Sequence, residues 1–277
     1  MCRAGSDSSA SLPPGGGVVG VEVIDAFTSA RCVRPPGLTD SLEESDFPVA
    51  DGPDGGETSE APLTNDDTFR LHSNPGSPYT IYLDFDGSIT EGVGWNNGTG
   101  NPTLIDNPFD RNDGNFAVFT NNELSRIRNT WKAVAEDFAP FDVNVTTEDP
   151  GSAALRKSGS SDTQWGVRSI QTDRATNQVC SGCGGVAYVG SFDSANDVPA
   201  YNFNKGIGGG GNTQSHEVGH TLTLGHDGLS NPSATYYGGH GSGNTSWGPI
   251  MGGFGRSLRT WSIGDYYRAS NQQDDLS

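Results

Sequence analysis

Three histidines and one glutamate within eleven residues form the part of the sequence best suited to chemistry. Residues 216–226 have the sequence HEVGHTLTLGH and hold three of the chain's five histidines. On an α-helix, the spacing of four between His216 and His220 places both imidazoles on one face, where they can bind one metal ion. His226 comes six residues later, which no straight helix places on that face, so the chain must leave the helix and turn back. Three nitrogen ligands with an open fourth position are typical of a catalytic zinc site.

Glu217 is the candidate general base of this site. It follows the first histidine and points about 100° around the helix, beside the metal rather than onto it. A general base needs that position to take a proton from a water activated by the metal. An HExxH pattern alone arises by chance on amphipathic helices, where it has only a structural role. The third histidine at this offset favours the metal site over the structural interpretation.

The segment resembles the zinc signature HExxHxxGxxH of the metzincin metalloproteases. Asp227, directly after the third histidine, is similar to the reprolysin branch of that clan. Residues 236–252, with the sequence YYGGHGSGNTSWGPIMG, resemble secreted reprolysin-like proteins of bacteria. Together the resemblance covers residues 76–277.

Two details of the family pattern are informative. Metzincins have a methionine turn beneath the metal, and Met251 fits it as a hydrophobic residue that is not a ligand. Astacin-type members have a tyrosine ligand two residues later, where this chain has Gly253, so the three-histidine site is expected to stand alone. One position departs from the pattern, because Thr223 stands where the family has glycine, and the next glycine is Gly225.

The resemblance implies an α/β fold, that of an α+β zincin. This metzincin-like catalytic domain would have a twisted mixed sheet of about five strands, a zinc-binding helix, a Met-turn and a C-terminal helix. It implies a secreted zinc metalloendopeptidase whose metal ligands are His216, His220 and His226. A peptide or protein substrate would pair with residues 186–191 as an added strand. The alternative is a metzincin fold that has lost turnover, through Thr223, and now binds a peptide or protein.

The composition limits the classes of partner that the protein is expected to bind. The net charge is −18 and the pI is near 4.4, which argues against nucleic acid and anionic membranes as partners. The sequence has no run of 18 apolar residues, so we predict no membrane span. Residues 1–5 lack the apolar stretch of a signal peptide, so a secretion signal would be unconventional or missing from this sequence. The oligomeric state stays open, with a monomer as the expectation.

Residues 1–75 are predicted to be a low-complexity acidic segment, either a linker or a pro-segment. Between residues 37 and 69 there are ten acidic residues and no basic one, too polar a composition to offset the entropy of ordering. Only residues 17–24 have strand character. The Arg31–Cys32 pair resembles the cysteine switch of matrix metalloproteases, in which a thiolate occupies the open zinc position. A disulfide between Cys32 and Cys2 is the alternative.

The folded part is expected to begin near Tyr79, where apolar and polar residues alternate as in a half-buried strand. Residues 87–115 are rich in glycine and asparagine and are predicted to form a loop. Asp106, Asp110 and Asp113 lie in it and do not match the EF-hand spacing. That favours solvated carboxylates and leaves a Ca²⁺ site as the alternative.

A helix and four further strands follow. Thr120 and Glu123 form a capping box before a helix whose apolar residues recur every three or four positions up to Phe138. The strands are predicted at residues 141–145, 165–171, 186–192 and 200–203. This order of strand, helix, strands and helix is also that of the metzincin upper subdomain.

The helix with the histidines is expected to follow the glycine run 208–211. Asn212 or Thr213 would cap it. After the methionine turn, residues 261–268 are predicted to form a last helix, with Ser262 as its cap.

The remaining candidate groups are Cys180 and Cys183. A redox pair would begin a helix, whereas a strand is predicted here, and a zinc ribbon would need a second pair nearby. We therefore predict a disulfide between them in an oxidising compartment. His240 lies among glycines and is expected to be an exposed loop histidine, and no functional role is predicted for His72.

Overall fold

The computed structural model describes residues 64–110, 114–172, 179–180, 183–205 and 207–277. The predicted strand at residues 17–24, both candidate roles of Cys32, its partner Cys2 and also Asp113 lie outside these residues. Within them, no helix combines the length and the apolar composition that a membrane crossing requires.

Helices and strands alternate along the chain as in an α/β protein. In chain order they are α1 Asn65–Thr68, β1 Tyr79–Asp84, β2 Ser88–Glu91, α2 Gly94–Thr99, β3 Thr103–Asp106, α3 Asn121–Asp137, β4 Asn144–Thr146, β5 Trp165–Gln171, β6 Gly185–Val186, β7 Ala200–Asn202, α4 Ile207–Thr221, β8 Leu229–Ser230, β9 Ser233–Ala234, β10 Trp247–Pro249 and β11 Leu258–Thr260. Short 3₁₀ helices occupy Ser152–Leu155 and Gly243–Thr245.

A five-stranded mixed sheet forms the centre of the fold. Its strand order is β4-β1-β5-β7-β6, and every neighbouring pair is parallel except β6 and β7. The prediction of a mixed sheet of about five strands is therefore confirmed. Because parallel sheets need both faces covered, α3 and α4 pack on one face, and the segment with β2, α2 and β3 contributes to a second core around Ile170 and Tyr201.

Strand β1 is buried on both faces, so the prediction of a half-buried strand is wrong. Ile81 and Leu83 pack into the core shared with the helices, as expected. Tyr82 and Asp84, predicted to face solvent, are also buried. The alternation misleads here because Asp84 is paired with Arg168 of β5 (3.7 Å) rather than with water.

Residues 87–115 do not form a loop throughout, contrary to prediction. They contain the hairpin β2–β3, in which Ile89 faces Ile105, with α2 between the strands. The Asn96 side chain donates to the Thr90 carbonyl (2.9 Å) and accepts from the Val93 amide (3.1 Å). Polar side chains thus satisfy the backbone hydrogen-bonding groups of this segment. A sequence pattern based on apolar residues does not detect such contacts.

The aspartates of this segment are buried, and the prediction of solvated carboxylates is wrong for both that the structure describes. Asp106 is 3% exposed and Asp110 is 4% exposed. The Ser88 hydroxyl donates to Asp106 (3.1 Å), and the Gly114 amide donates to Asp110 (3.2 Å). Neither belongs to a group that could hold a metal ion among the described residues.

Helix α3 confirms the prediction made from its capping box. Thr120 is the N-cap and accepts from the Glu123 amide (3.3 Å), while the Glu123 carboxylate accepts from the Thr120 amide (2.8 Å). Its apolar residues face the sheet and α4, and Ile127 and Val134 are fully buried. This helix provides one support for the helix that holds the histidines.

The other strands lie at or next to their predicted positions, although β4 overlaps the strand predicted at 141–145 only at residues 144 and 145. Strand β5 has the predicted bounds, and β7 differs by one residue. Strand β6 covers only the start of the predicted strand at 186–192. Beyond it, the Gly190 and Phe192 amides donate to the carbonyls of His220 (2.9 Å) and Thr221 (3.0 Å). This segment therefore donates hydrogen bonds to the free carbonyl groups at the C-terminal end of α4 instead of extending the sheet.

The residues before Tyr79 pack against the sheet from Thr64 onward. The Leu71 amide donates to the Thr147 hydroxyl (3.0 Å), which itself donates to the Thr68 carbonyl (2.6 Å). His72 bonds Glu148 (2.8 Å). The folded part thus extends closer to the N-terminus than the predicted boundary at residue 76, while the division of the chain into two parts remains a prediction.

The predicted C-terminal helix over residues 261–268 is wrong. The described chain has turns there, and Gly264 adopts a φ of +70°, outside the helical region. Ser262 caps no helix, because its backbone pairs with Asp275: the Ser262 amide donates to the Asp275 carboxylate (2.9 Å), and the Asp275 amide to the Ser262 carbonyl (3.0 Å). A long-range pairing replaces the local capping pattern.

Candidate metal centre

Helix α4 places His216, Glu217 and His220 against the sheet. It begins at Ile207, so neither Asn212 nor Thr213 is its cap, and the glycine run lies inside the helix. The absence of side chains there permits close packing on α3, since a Cβ on Gly211 would lie 3.0 Å from that of Ala133. Close packing offsets the poor helix propensity of glycine.

Helix α4 ends in a Schellman motif centred on Thr223. The Thr223 amide donates to the His220 carbonyl (2.9 Å), and the Leu224 amide donates to the Gly219 carbonyl (3.1 Å). Thr223 has a φ of 76°, the left-handed conformation that usually selects glycine. The turn therefore occurs at Thr223 and not at the next glycine, Gly225, so a β-branched residue occupies the left-handed position.

This turn returns the chain so that His226 faces the two helical histidines. One ligand nitrogen from each of His216, His220 and His226 lies within 4.8 Å of the others. The Nε2 atoms of His220 and His226 are 3.0 Å apart. Tetrahedral zinc with bonds of about 2.1 Å separates its nitrogen ligands by roughly 3.4 Å. The three side chains thus form a group that could hold one metal ion.

Backbone carbonyls orient two of the three imidazoles. His216 Nδ1 lies 2.9 Å from the Ile250 carbonyl, and His220 Nδ1 lies 2.8 Å from the Leu224 carbonyl. In each case Nδ1–H donates, which leaves Nε2 unprotonated and free to bind a metal. Such partners fix the tautomer and orientation of metal-binding histidines.

The environment keeps all three imidazoles neutral. Burial lowers the pKa of His216 well below its usual value, and the adjacent His220 and His226 lower it further. Burial likewise lowers the pKa of His220, and it lowers that of His226 to about 4. Neutral imidazole is the form that binds metal ions, so the site needs no deprotonation at pH 7.

Glu217 is buried beside the histidines and under strand β6. It is 6% exposed, and burial raises the pKa of its carboxyl group to about 8. Gly185 lies directly against it, since a Cβ there would be 2.7 Å from Glu217 Oε1. Glycine at this position lets the edge strand pass close to the candidate base.

Met251 lies beneath the helix between the two helical histidines. It is fully buried and packs with Leu224, Ile250 and Trp261. A Cβ on Gly219 would lie 2.6 Å from the Met251 sulfur, so only glycine leaves room for it. Met251 thus packs beneath the helix that holds two of the three histidines.

Arg259 holds the segment that contains Met251, and sequence reasoning missed it. Its guanidinium donates to the carbonyls of Pro249 (2.9 Å), Ile250 (2.7 Å) and Gly253 (2.8 Å). The Ile250 carbonyl also accepts from His216, so Arg259 helps to fix the partner of a candidate ligand. No sequence pattern predicts this role, because the side chain of an arginine near a predicted turn is usually solvated.

Two aromatic rings border the histidines. The Tyr236 ring lies 4.4 Å from that of His226, and the Phe254 ring lies 6.0 Å from that of His216. Burial and the charge of Glu217 raise the pKa of Tyr236 to about 12, so its hydroxyl stays protonated. Neither residue was a candidate on the basis of the sequence.

The remaining predicted groups do not belong to the three-histidine group. Cys180 and Cys183 form the predicted disulfide, with sulfurs 2.13 Å apart. His240 is exposed, as expected, and bonds the Tyr237 hydroxyl (2.8 Å).

The described residues therefore define an α/β protein with a three-histidine group that could hold a metal ion, flanked by a buried glutamate. Comparison with models of known protein families and with curated proteins found no match.

Proposed function

We propose that the protein is a zinc-dependent endopeptidase of the metzincin type. The observation that supports this most is the convergence of three neutral imidazoles, two of them oriented by backbone carbonyls, beside the buried carboxyl group of Glu217. Three imidazoles suit zinc, and three protein ligands leave one position open for catalysis. The turn at Thr223 and the buried Met251 supply the other features of the resemblance.

Glu217 acts as the general base and then as a general acid. Zinc, when bound, supplies a Lewis acid that lowers the pKa of a water molecule and polarises the scissile carbonyl. Glu217 takes the proton of the attacking water and passes it to the leaving amine. Burial raises the pKa of its carboxyl group to about 8, and a bound zinc ion would lower it, which would favour the carboxylate that accepts the proton.

Strand β6 is the proposed site of substrate binding. It is the last strand in the order of the sheet and is antiparallel to β7. Gly185 in this strand lies against Glu217, so a peptide added along β6 would place its backbone beside the base. Addition of an extended peptide to a sheet edge is a common mode of peptide recognition.

Secretion is part of the proposal. The disulfide between Cys180 and Cys183 is of a kind that persists in oxidising compartments and is rare in the cytosol.

The proposal is tested by zinc content and peptide cleavage in matched histidine variants. Wild type should bind one zinc per chain and cleave a mixed peptide library, and a chelator should abolish cleavage. His220→Ala should lose both zinc and cleavage, whereas His240→Ala, which changes an exposed histidine outside the three-histidine group, should keep both. Cleavage that survives complete zinc removal would refute the proposal, and zinc binding without any cleavage would favour the peptide-binding alternative.

A further inference from the structure

The last residues of the chain lie against the turn between the second and third histidines. The Gln273 side chain makes two hydrogen bonds to this turn: its Nε2 donates to the Thr223 carbonyl (3.1 Å), and its Oε1 accepts from the Gly225 amide (2.9 Å). Asn271 adds a longer bond from its Nδ2 to the Gly225 carbonyl (3.4 Å). One side-chain amide thus bridges the backbone on both sides of Leu224.

Leu224 and Gly225 are the positions at which this bridge can affect the metal centre. The Leu224 carbonyl accepts from His220 Nδ1 (2.8 Å) and thereby orients the second candidate ligand. Gly225 directly precedes His226, so its backbone sets where the third candidate ligand begins. The turn also contains Thr223 at a φ of 76°, a conformation disfavoured for a β-branched residue. Local preferences oppose this turn, and contacts from outside it must hold it.

Gln273 is itself held in place by its neighbours. The backbone amide of Gln273 donates to the side-chain oxygen of Asn271 (3.0 Å). Two residues further on, Asp275 pairs with the Ser262 backbone through its amide and its carboxylate (3.0 and 2.9 Å). The bridging side chain therefore extends from a backbone that is fixed on both sides.

We propose that Gln273 is a positioning residue of the metal centre. By holding the Leu224 carbonyl and the start of His226, residues 271–275 set the affinity of the three histidines for zinc, although the stretch contains no metal ligand. This inference rests on the zinc site proposed above.

The test compares Gln273→Ala with Gln272→Ala in the full chain. Gln272 is the adjacent, exposed glutamine, so its variant controls for changes to the tail itself. Zinc affinity is measured by competition with a chromophoric chelator, and the stability of the metal-free protein by urea unfolding. We expect Gln273→Ala to weaken zinc binding about tenfold or more, the size typical for loss of a residue that orients a ligand, and Gln272→Ala to match wild type.

A second variant and a spectrum separate positioning from general support. Gln273→Glu keeps an acceptor for the Gly225 amide but cannot donate to the Thr223 carbonyl, so its zinc affinity should lie between those of wild type and Gln273→Ala. The visible spectrum of the cobalt-substituted protein should change in Gln273→Ala and remain that of wild type in Gln272→Ala.

Equal zinc affinities in Gln273→Ala and Gln272→Ala would overturn the inference, even if Gln273→Ala unfolds more easily, because the bridge would then be only structural. A wild-type chain that binds no zinc would instead overturn the proposed function, and this inference with it.

Discussion

Thr223 is the residue at which this chain departs most clearly from what its backbone requires. It occupies the left-handed position of the Schellman motif that ends α4. A non-glycine residue there costs about 1–2 kcal/mol, and its exposed side chain has little packing to lose. The threonine therefore raises the conformational energy of the turn. The turn still forms, and it still brings His226 to the other two histidines.

Thr223→Gly should therefore stabilise the protein. Relief of the left-handed conformation outweighs the greater flexibility of glycine in the unfolded chain, which costs about 0.5–1 kcal/mol. We expect a net gain of about 0.5–1 kcal/mol in the free energy of unfolding, measured by urea titration. Thr223→Ala retains a Cβ and should show no such gain. An unchanged or lower stability of Thr223→Gly would show that the threonine is not strained.

A second prediction concerns Gly185. Any side chain at this position meets Glu217 and Thr213, both of which lie within 2.7 Å of a Cβ built there. Gly185→Ala should displace the candidate base and lower kcat/KM by about tenfold or more, while the zinc content stays at one per chain. Gly159→Ala is the matched control, since a Cβ there has no atom within 4 Å. Full activity in Gly185→Ala would argue against Glu217 as the base in this position.

Between elements, the contact of α3 with α4 contains an ionisable group that links stability to pH. Asp137, at the end of α3, accepts from the Ser215 hydroxyl of α4 (2.6 Å). Burial raises the pKa of Asp137 from 3.8 to about 6, and the bond from Ser215 and the charge of Arg259 oppose that rise. The folded protein therefore binds a proton here more tightly than the unfolded chain does.

The sign of this effect follows from linkage. With the folded pKa above the unfolded one, the contribution of Asp137 to stability is complete below pH 3.8 and is lost as the pH rises through about 6. Asp137→Asn can still accept from Ser215 but does not ionise. Relative to wild type, it should gain at most about 3 kcal/mol at pH 7 and almost nothing at pH 3.5, in urea unfolding of the metal-free protein. A gain that is equal at both pH values would contradict the link to ionisation.

The elements also differ in how well the sequence predicts them. Helix α3 was predictable because a capping box and an amphipathic period coincide in one local segment. Strand β1 misled because it lies between two strands with both faces covered, so its polar residues are paired rather than solvated. The predicted C-terminal helix is wrong because Ser262 pairs with Asp275, a contact that no local sequence pattern indicates.

For the whole molecule, the three-histidine group and the neighbouring glutamate were predictable from the sequence, and the residues that support them were not. Helical geometry relates His216, Glu217 and His220, and His226 follows within six residues, after the turn that ends the helix. Their supports come from distant parts of the chain: Gly185 from the edge strand, Arg259 from β11 and Gln273 from the C-terminal tail. Such contacts depend on the assembled fold, and no spacing in the sequence indicates them.

We propose that this assembled site hydrolyses peptide bonds with Glu217 as the base. This proposal is tested most directly by kcat/KM for one cleaved peptide in wild type and Glu217→Gln, each with its zinc content determined. Glutamine keeps the size and burial of the side chain but cannot accept the proton of water. We expect equal zinc content in the two proteins and a kcat/KM lower in Glu217→Gln by a factor on the order of 10² or more. The control Glu136→Gln, at an exposed position of α3, should match wild type in both measurements. Full activity in Glu217→Gln at equal zinc content would contradict the proposal.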